Sequence, residues 1–118
     1  MIQKLSKKEQ LALVARAACL EVVWVGEDQQ QAQLPTRDYK DWDPFENSAD
    51  ARELATYMGF FVTVDIRHNR TIVTNGMREV VMSHGRNGEH LERATRHAIS
   101  RLAAMMGLTL QEVLDGNE

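Results

Sequence analysis

Apolar positions along the chain follow two periods, and the points where one gives way to the other mark out its elements. Leu11, Val14, Ala15 and Ala18 recur at helical spacing behind Ser6-Lys7-Lys8-Glu9. That tetrapeptide reads as a capping box, in which the serine and glutamate side chains satisfy each other's backbone amides. It predicts a helix ending at about Cys19. Leu20–Val25 then changes period, and its β-branched and aromatic residues on both faces predict an interior strand. After a turn at Gly26-Glu27-Asp28, Gln29–Leu34 is polar except for Ala32 and Leu34, which predicts an exposed edge strand. Pro35 ends it, and a loop follows to Asn47.

In the second half, Asn47 or Ser48 caps a helix with Asp50 in its first turn, where the helix dipole favours an anion. Ala51, Leu54, Ala55 and Met58 form its buried stripe, and Gly59 is its left-handed stop. Phe60–Arg67 alternates, with Phe60, Val62, Val64 and Ile66 on one face and Phe61, Thr63, Asp65 and Arg67 on the other. Thr71–Thr74 and Arg78–Met82 flank Asn75-Gly76 as a hairpin. A two-residue turn would set Ile72 opposite Glu79, so a bulged three-residue turn with Ile72 opposite Val80 is expected. Ser83–Gly88 reads as a flexible loop. Leu91, Ala94, Ala98, Leu102 and Met105 form the core face of a helix from about Glu89 to Met106, with Glu89–Arg93 and Glu92–Arg96 as i,i+4 pairs outside. Gly107 stops it, and Thr109-Leu110-Gln111-Glu112 caps a short last helix. The order αββαβββα predicts an α+β fold: an antiparallel sheet of four to five strands covered by helices, in a single domain over residues 1–118.

Composition changes this picture little. With 43% hydrophobic and 26% charged residues, the 118-residue chain is an ordinary globular protein. The net charge of −3 gives no overall attraction to nucleic acid or anionic lipid. Up to Gly59 there are seven Lys/Arg against ten Asp/Glu, and beyond it seven against seven, with all four histidines in the second half. Any anion-attracting surface therefore belongs to the second half. Cys19 is the single cysteine, expected to be a small core residue, and no intrachain disulfide can form. No leader-like apolar run follows the N-terminal lysines and no window suits a membrane span, so a cytoplasmic protein is expected.

Two surfaces stand out as candidate chemistry. The first is the aromatic-acidic loop, where Tyr39, Trp42 and Phe45 alternate with Asp38, Asp41, Asp43 and Glu46. Buried, the aromatics anchor the loop; exposed and rimmed by acids, they would make a partner-binding patch of Tyr39, Asp41, Trp42, Asp43 and Phe45. The second is a basic ridge on the long helix, Arg93, His97 and Arg101, supported by Arg86 and Arg96. Arg86, Arg93, Arg96 and Arg101 could follow a phosphate backbone, although Glu89 and Glu92 partly neutralise them and no aromatic interleaves them. His90 and His97 stand two turns apart, too far to share one ion. No nucleophile, phosphate-loop or metal-ligand spacing is present, so neither catalytic residues nor a cofactor are expected.

Trp42-Asp43-Pro44-Phe45, then Asn47-Ser48-Ala49-Asp50-Ala51 with Leu54, and later Arg93-Ala94-Thr95-Arg96-His97-Ala98-Ile99 form a pattern. It resembles the NinX-like proteins and the related phage α-β-α sandwich domain family, from Ala17 to about Met106. The chain departs from that pattern in Pro35–Lys40 and after Gly107. The resemblance implies a phage- or prophage-encoded accessory protein of the host cytoplasm with a helix-covered sheet, and carries no catalytic residues to transfer. The leading expectation is thus a non-enzymatic protein that binds another protein, such as a host factor, or a second copy of itself. A nucleic-acid-associated module using the basic ridge is the alternative, and a small-molecule-binding protein or enzyme the third.

Overall fold

The computed structural model describes residues 4–116, so the N-terminal reading falls partly outside the described residues. The chain is α+β, with three α-helices and two three-stranded antiparallel sheets among the described residues. It divides into two compact units, Met1–Asp43 with Ala103–Glu118, and Pro44–Leu102. Six strands in two sheets replace the expected four to five in one.

In the first unit α1 (Lys7–Ala17) opens on the expected capping box: Ser6 Oγ accepts from the Glu9 amide at 3.1 Å, and the Ser6 amide donates to Glu9 Oε1 at 3.2 Å. Leu11, Val14, Ala15 and Ala18 are buried as their spacing requires. Cys19 corrects the expectation of a core residue: it is exposed, at φ 55°, where the chain turns out of the helix. The sheet runs β1 (Val23–Val25), β2 (Gln31–Leu34), β3 (Lys40–Trp42). The expected roles are exchanged: β1 is an edge with all three residues half-buried, and the polar β2 is central. Ala32 and Leu34, both almost wholly buried, give β2 its inward face, while β3 supplies the partner that the Pro35–Asn47 loop was not expected to contain.

The second unit carries α2 (Ser48–Met58), β4 (Phe61–Asp65), β5 (Arg70–Thr74), β6 (Glu79–Ser83) and the first turns of α3 (Leu91–Gly116). Asn47 is the N-cap of α2, its side chain accepting from the Asp50 amide at 2.9 Å, and Gly59 closes the helix at φ 70°, ψ 31°. The hairpin holds one residue more than expected. Val73 lies opposite Val80 and Ile72 opposite Val81, because Asn75 Oδ1 accepts the amides of Met77 and Arg78 (2.9 and 2.8 Å) and so satisfies a four-residue turn. That register pairs two apolar residues on each face, with Val73 and Val80 buried and Val81 outside.

Gly107 corrects the clearest misreading. It does not stop α3, which continues to Gly116, and Thr109 starts no new helix; its hydroxyl donates back to the Met105 carbonyl at 3.1 Å. Gly107 is buried, and a Cβ there would run into the backbone carbonyl of Leu13 on α1. It is glycine because two helix backbones meet. Alanine is the better helix former by about 1 kcal/mol. Displacing backbone on both sides costs more, about 1–3 kcal/mol. Gly107→Ala should therefore lower the Tm, by up to roughly 10 °C, whereas Gly116→Ala, with open space around its Cβ, should leave it unchanged or slightly raised; thermal unfolding checks both.

Candidate functional site

The second unit is organised by a chain of buried hydrogen bonds. The Thr95 hydroxyl donates to the Leu91 carbonyl, one turn back on α3, at 2.9 Å. Its oxygen then accepts from the Thr71 hydroxyl on β5 at 2.9 Å. Thr71 Oγ1, its proton committed, accepts from His84 Nε2 at 2.7 Å. One hydroxyl proton per threonine leaves a single consistent arrangement, so the buried His84 ring carries its proton on Nε2. The His84 backbone is held as well: its amide donates to Asn69 at 2.9 Å and its carbonyl accepts from the His90 amide at 2.7 Å. Asn69 Nδ2 donates to the Gly85 carbonyl at 2.6 Å. The Ser83–Gly88 segment, expected to be a flexible loop, is thus pinned to the β4–β5 turn and includes a short 3-10 turn at Arg86–Gly88.

Beside this chain α2, β4 and α3 enclose an open cleft of about 380 Å³. Ala55, Phe60, Val62, Val64, Leu91 and Ile99 make it mostly apolar. Its polar rim is tied together: Arg96 donates from Nε to the Phe45 carbonyl (3.0 Å) and from a terminal nitrogen to Ser48 Oγ (3.2 Å), while the Ser48 hydroxyl donates to Glu92 Oε2 (3.1 Å). β4 forms one edge of its sheet and is open on both faces, with Phe61 69%, Val62 38%, Val64 41% and, just beyond, Ile66 66% exposed. Edge strands in soluble proteins are usually guarded by lysine, proline, a bulge or a cover. Phe61-Val62-Thr63-Val64 has no such residue.

At the other edge of that sheet, Met82 and Ser83 of β6 and His90, Arg93, Ala94, His97 and Arg101 wall a second concavity of about 300 Å³. Burial holds the His97 imidazole below its usual range; Arg93 adds to this, Glu46 opposes it, and Arg96 and Arg101 lower it further. The ring stands edge-on to Phe45, with centroids 5.5 Å apart, and Nε2 is enclosed without a hydrogen-bond partner. Arg101 reaches the Met82 thioether at 3.8 Å.

The expected residues divide accordingly. Trp42 (5% exposed) and Phe45 (4% exposed) are buried, so neither faces a partner from the aromatic-acidic loop. Each places its ring where the alternation with acids had left two outcomes open. Tyr39 is exposed at φ 58°, and Asp41 accepts from Gln33 Nε2 at 2.9 Å across the β2–β3 pair. Asp43 forms an ion pair with Lys7 at 2.8 Å. Of the four ridge arginines only Arg93 and Arg101 wall the basic concavity. Arg96 is three residues from Arg93, on the neighbouring helix face, and is engaged with Phe45 and Ser48 instead. Arg86 lies in the 3-10 turn and is exposed. The β4 edge escaped notice because alternation reveals a strand's faces and says nothing of its place in the sheet; its lack of any guarding residue was the available signal. Among the described residues no three His, Cys, Asp or Glu side chains are grouped to hold a metal ion. Nor is any helix there long and apolar enough to cross a membrane. No protein-family model, curated protein or solved structure matches the chain.

The hydrogen-bond chain makes a stability prediction. Thr71→Val keeps the shape of the side chain and strands both the His84 Nε2 proton and one side of Thr95. It should cost about 2–3 kcal/mol in denaturant unfolding. Thr71→Val/Thr95→Val should cost less than the sum of its two single changes, since both disturb one network. Trp42→Ala should cost about 3–5 kcal/mol as a buried aromatic, while Tyr39→Ala should be within about 0.5 kcal/mol of the parent.

Proposed function

We propose that the chain is a non-enzymatic binding protein whose docking surface is the β4 edge with its adjoining cleft, and that its ligand is an extended polypeptide segment. The observation that carries this reading is the run of four successive exposed residues, Phe61–Val64, on an unguarded strand edge beside an apolar cleft. An added strand would take up the free backbone groups of β4. Its alternate side chains would enter the cleft over Val62 and Val64, while those between would pack beside Phe61 on the outer face. Polar groups at the rim, Arg96, Ser48 and Glu92, already satisfy one another, so apolar contact and backbone pairing would supply the affinity. In the aromatic-acidic loop, Trp42 and Phe45 are buried and Tyr39 and Asp41 exposed.

The sequence pattern around Trp42–Leu54 and Arg93–Ile99 supports the further proposal of a phage or prophage accessory protein working in the host cytoplasm, in the manner of the α-β-α sandwich domains it resembles. Such a protein needs no chemistry of its own; occupying a host factor's strand would suffice.

Val64→Lys places a guarding lysine on the edge at a position 41% exposed, where it should change stability by less than about 1 kcal/mol. The segment of a co-purified partner that the wild-type protein protects in hydrogen–deuterium exchange should lose protection in the variant, and the β4 amides should lose theirs. Unchanged exchange at β4 on partner binding, with Val64→Lys binding as wild type, would sink the reading. A second copy serving as the partner would show instead as a concentration-dependent size that Val64→Lys abolishes.

A further inference from the structure

We infer that the concavity walled by Ser83, His90, Arg93, His97 and Arg101 is an oxyanion site that takes a phosphoryl group. It stands apart from the β4 surface, at the opposite edge of the same sheet, and does not depend on that surface binding anything. Arg93, His97 and Arg101 succeed one another every four residues on α3, about 6 Å apart along the axis. Their side chains form one wall, with Arg93 and Arg101 as its fixed cations on either side of the His97 ring, and Met82 and Ser83 of β6 form the facing one. No carboxylate is among the walls.

The cations there hold unused hydrogen-bonding capacity. Arg93 makes no hydrogen bond or ion pair among the described residues, and Arg101 makes one weak contact, to the Met82 sulfur. The Ser83 oxygen accepts from the Gly85 amide at 3.1 Å, which leaves its proton free to donate inward. His90 is held only by its exposed neighbour Glu89, at 3.4 Å. Burial lowers the proton affinity of His97, and the nearby Arg93 guanidinium lowers it further against the opposing Glu46 carboxylate. An anion in the pocket would offset the arginine contribution.

Phosphoryl fits this donor set better than carboxylate. Two guanidinium forks two helical turns apart approach from separate directions, and only a tetrahedral group, or two successive ones, offers oxygens to both. A volume of about 300 Å³ exceeds one such group and leaves room for what it is esterified to. No Phe, Tyr or Trp ring lies in the walls, so recognition would rest on the phosphoryl group more than on stacking of a base.

The test is imidazole NMR on the intact protein, titrated with inorganic phosphate against sodium chloride at equal ionic strength. A saturable shift of the His90 and His97 ring protons is expected, with His68, in the β4–β5 turn, unmoved. Arg93→Gln and Arg101→Gln should each weaken the affinity about tenfold, and Arg67→Gln, outside the pocket, should not. A second arm uses a short single-stranded oligonucleotide. Binding whose log K falls with log salt at a slope of about −1.4, as for two phosphates, assigns a phosphodiester; phosphate binding without oligonucleotide binding assigns a phosphate monoester. Unsaturable shifts, equal movement of His68, indifference to Arg93→Gln and Arg101→Gln, or binding in neither arm overturns the inference.

Discussion

One buried hydroxyl, that of Thr71, holds the second unit in register. It is the second residue of the central strand β5, fully enclosed, and its two hydrogen-bonding roles are taken by residues from two other segments, Thr95 of α3 and His84 beyond β6. A hydroxyl left unpaired there would cost about as much as several ordinary surface interactions contribute. The position of α3 over the sheet and the path of the Ser83–His90 segment are therefore not independent. Both candidate surfaces inherit this constraint. The cleft lies where α3 stands off β4, and the basic concavity where the same helix faces β6. The wall that α3 gives to each is tied by this chain to β5 and to the Ser83–His90 segment.

Local signals were legible in the sequence and tertiary ones were not. Ser6-Glu9, Asn47-Asp50 and Gly59 each act within about one helical turn, so their chemistry can be read from neighbouring letters, and each is formed as read. Gly107 is the same letter as Gly59 with a different cause. One glycine supplies a left-handed turn, the other removes a side chain where α1 crosses α3, and only the crossing tells them apart. The strand order of the first sheet failed for a related reason. The six-residue LEVVWV looked interior by composition, yet only its last three residues pair, on one side, while the poorly apolar QAQL gains two partners because β3 comes back to it. Strand composition reports burial on the average; the number of neighbours is set by chain return.

Candidate sites were legible in kind more than in grouping. The arginines of the long helix were visible as a cluster, but a helix advances 100° per residue, and a three-residue step lands on the adjacent face. Arg96 accordingly ties the Phe45–Ser48 turn to α3, while Arg93 and Arg101, separated by two four-residue steps, share the concavity with His97. The aromatic-acidic loop shows the converse. Trp42 and Phe45 are spent on folding, as large apolar rings generally are when the backbone allows it. Its acids are left to form local contacts such as Asp43 with Lys7, worth little in water.

Two three-stranded sheets have four edges, and their different treatment bears on why β4 is open. β3 carries Lys40 and Asp41 on its exposed positions. β1 is only three residues long, and Lys8 lies over its Trp24 ring at 5.0 Å. β6 begins with Glu79 and has Arg101 laid against Met82. β4 has the longest exposed apolar run of the four and a charge only at its last residue, Asp65, which is committed to the turn through the His68 amide and ring. A single lysine at Val64, already 41% exposed, would guard it at little cost to the fold. An edge left bare beside an apolar cleft is a liability for a chain that stays alone, and the surface such a chain would keep if another strand regularly lies against it.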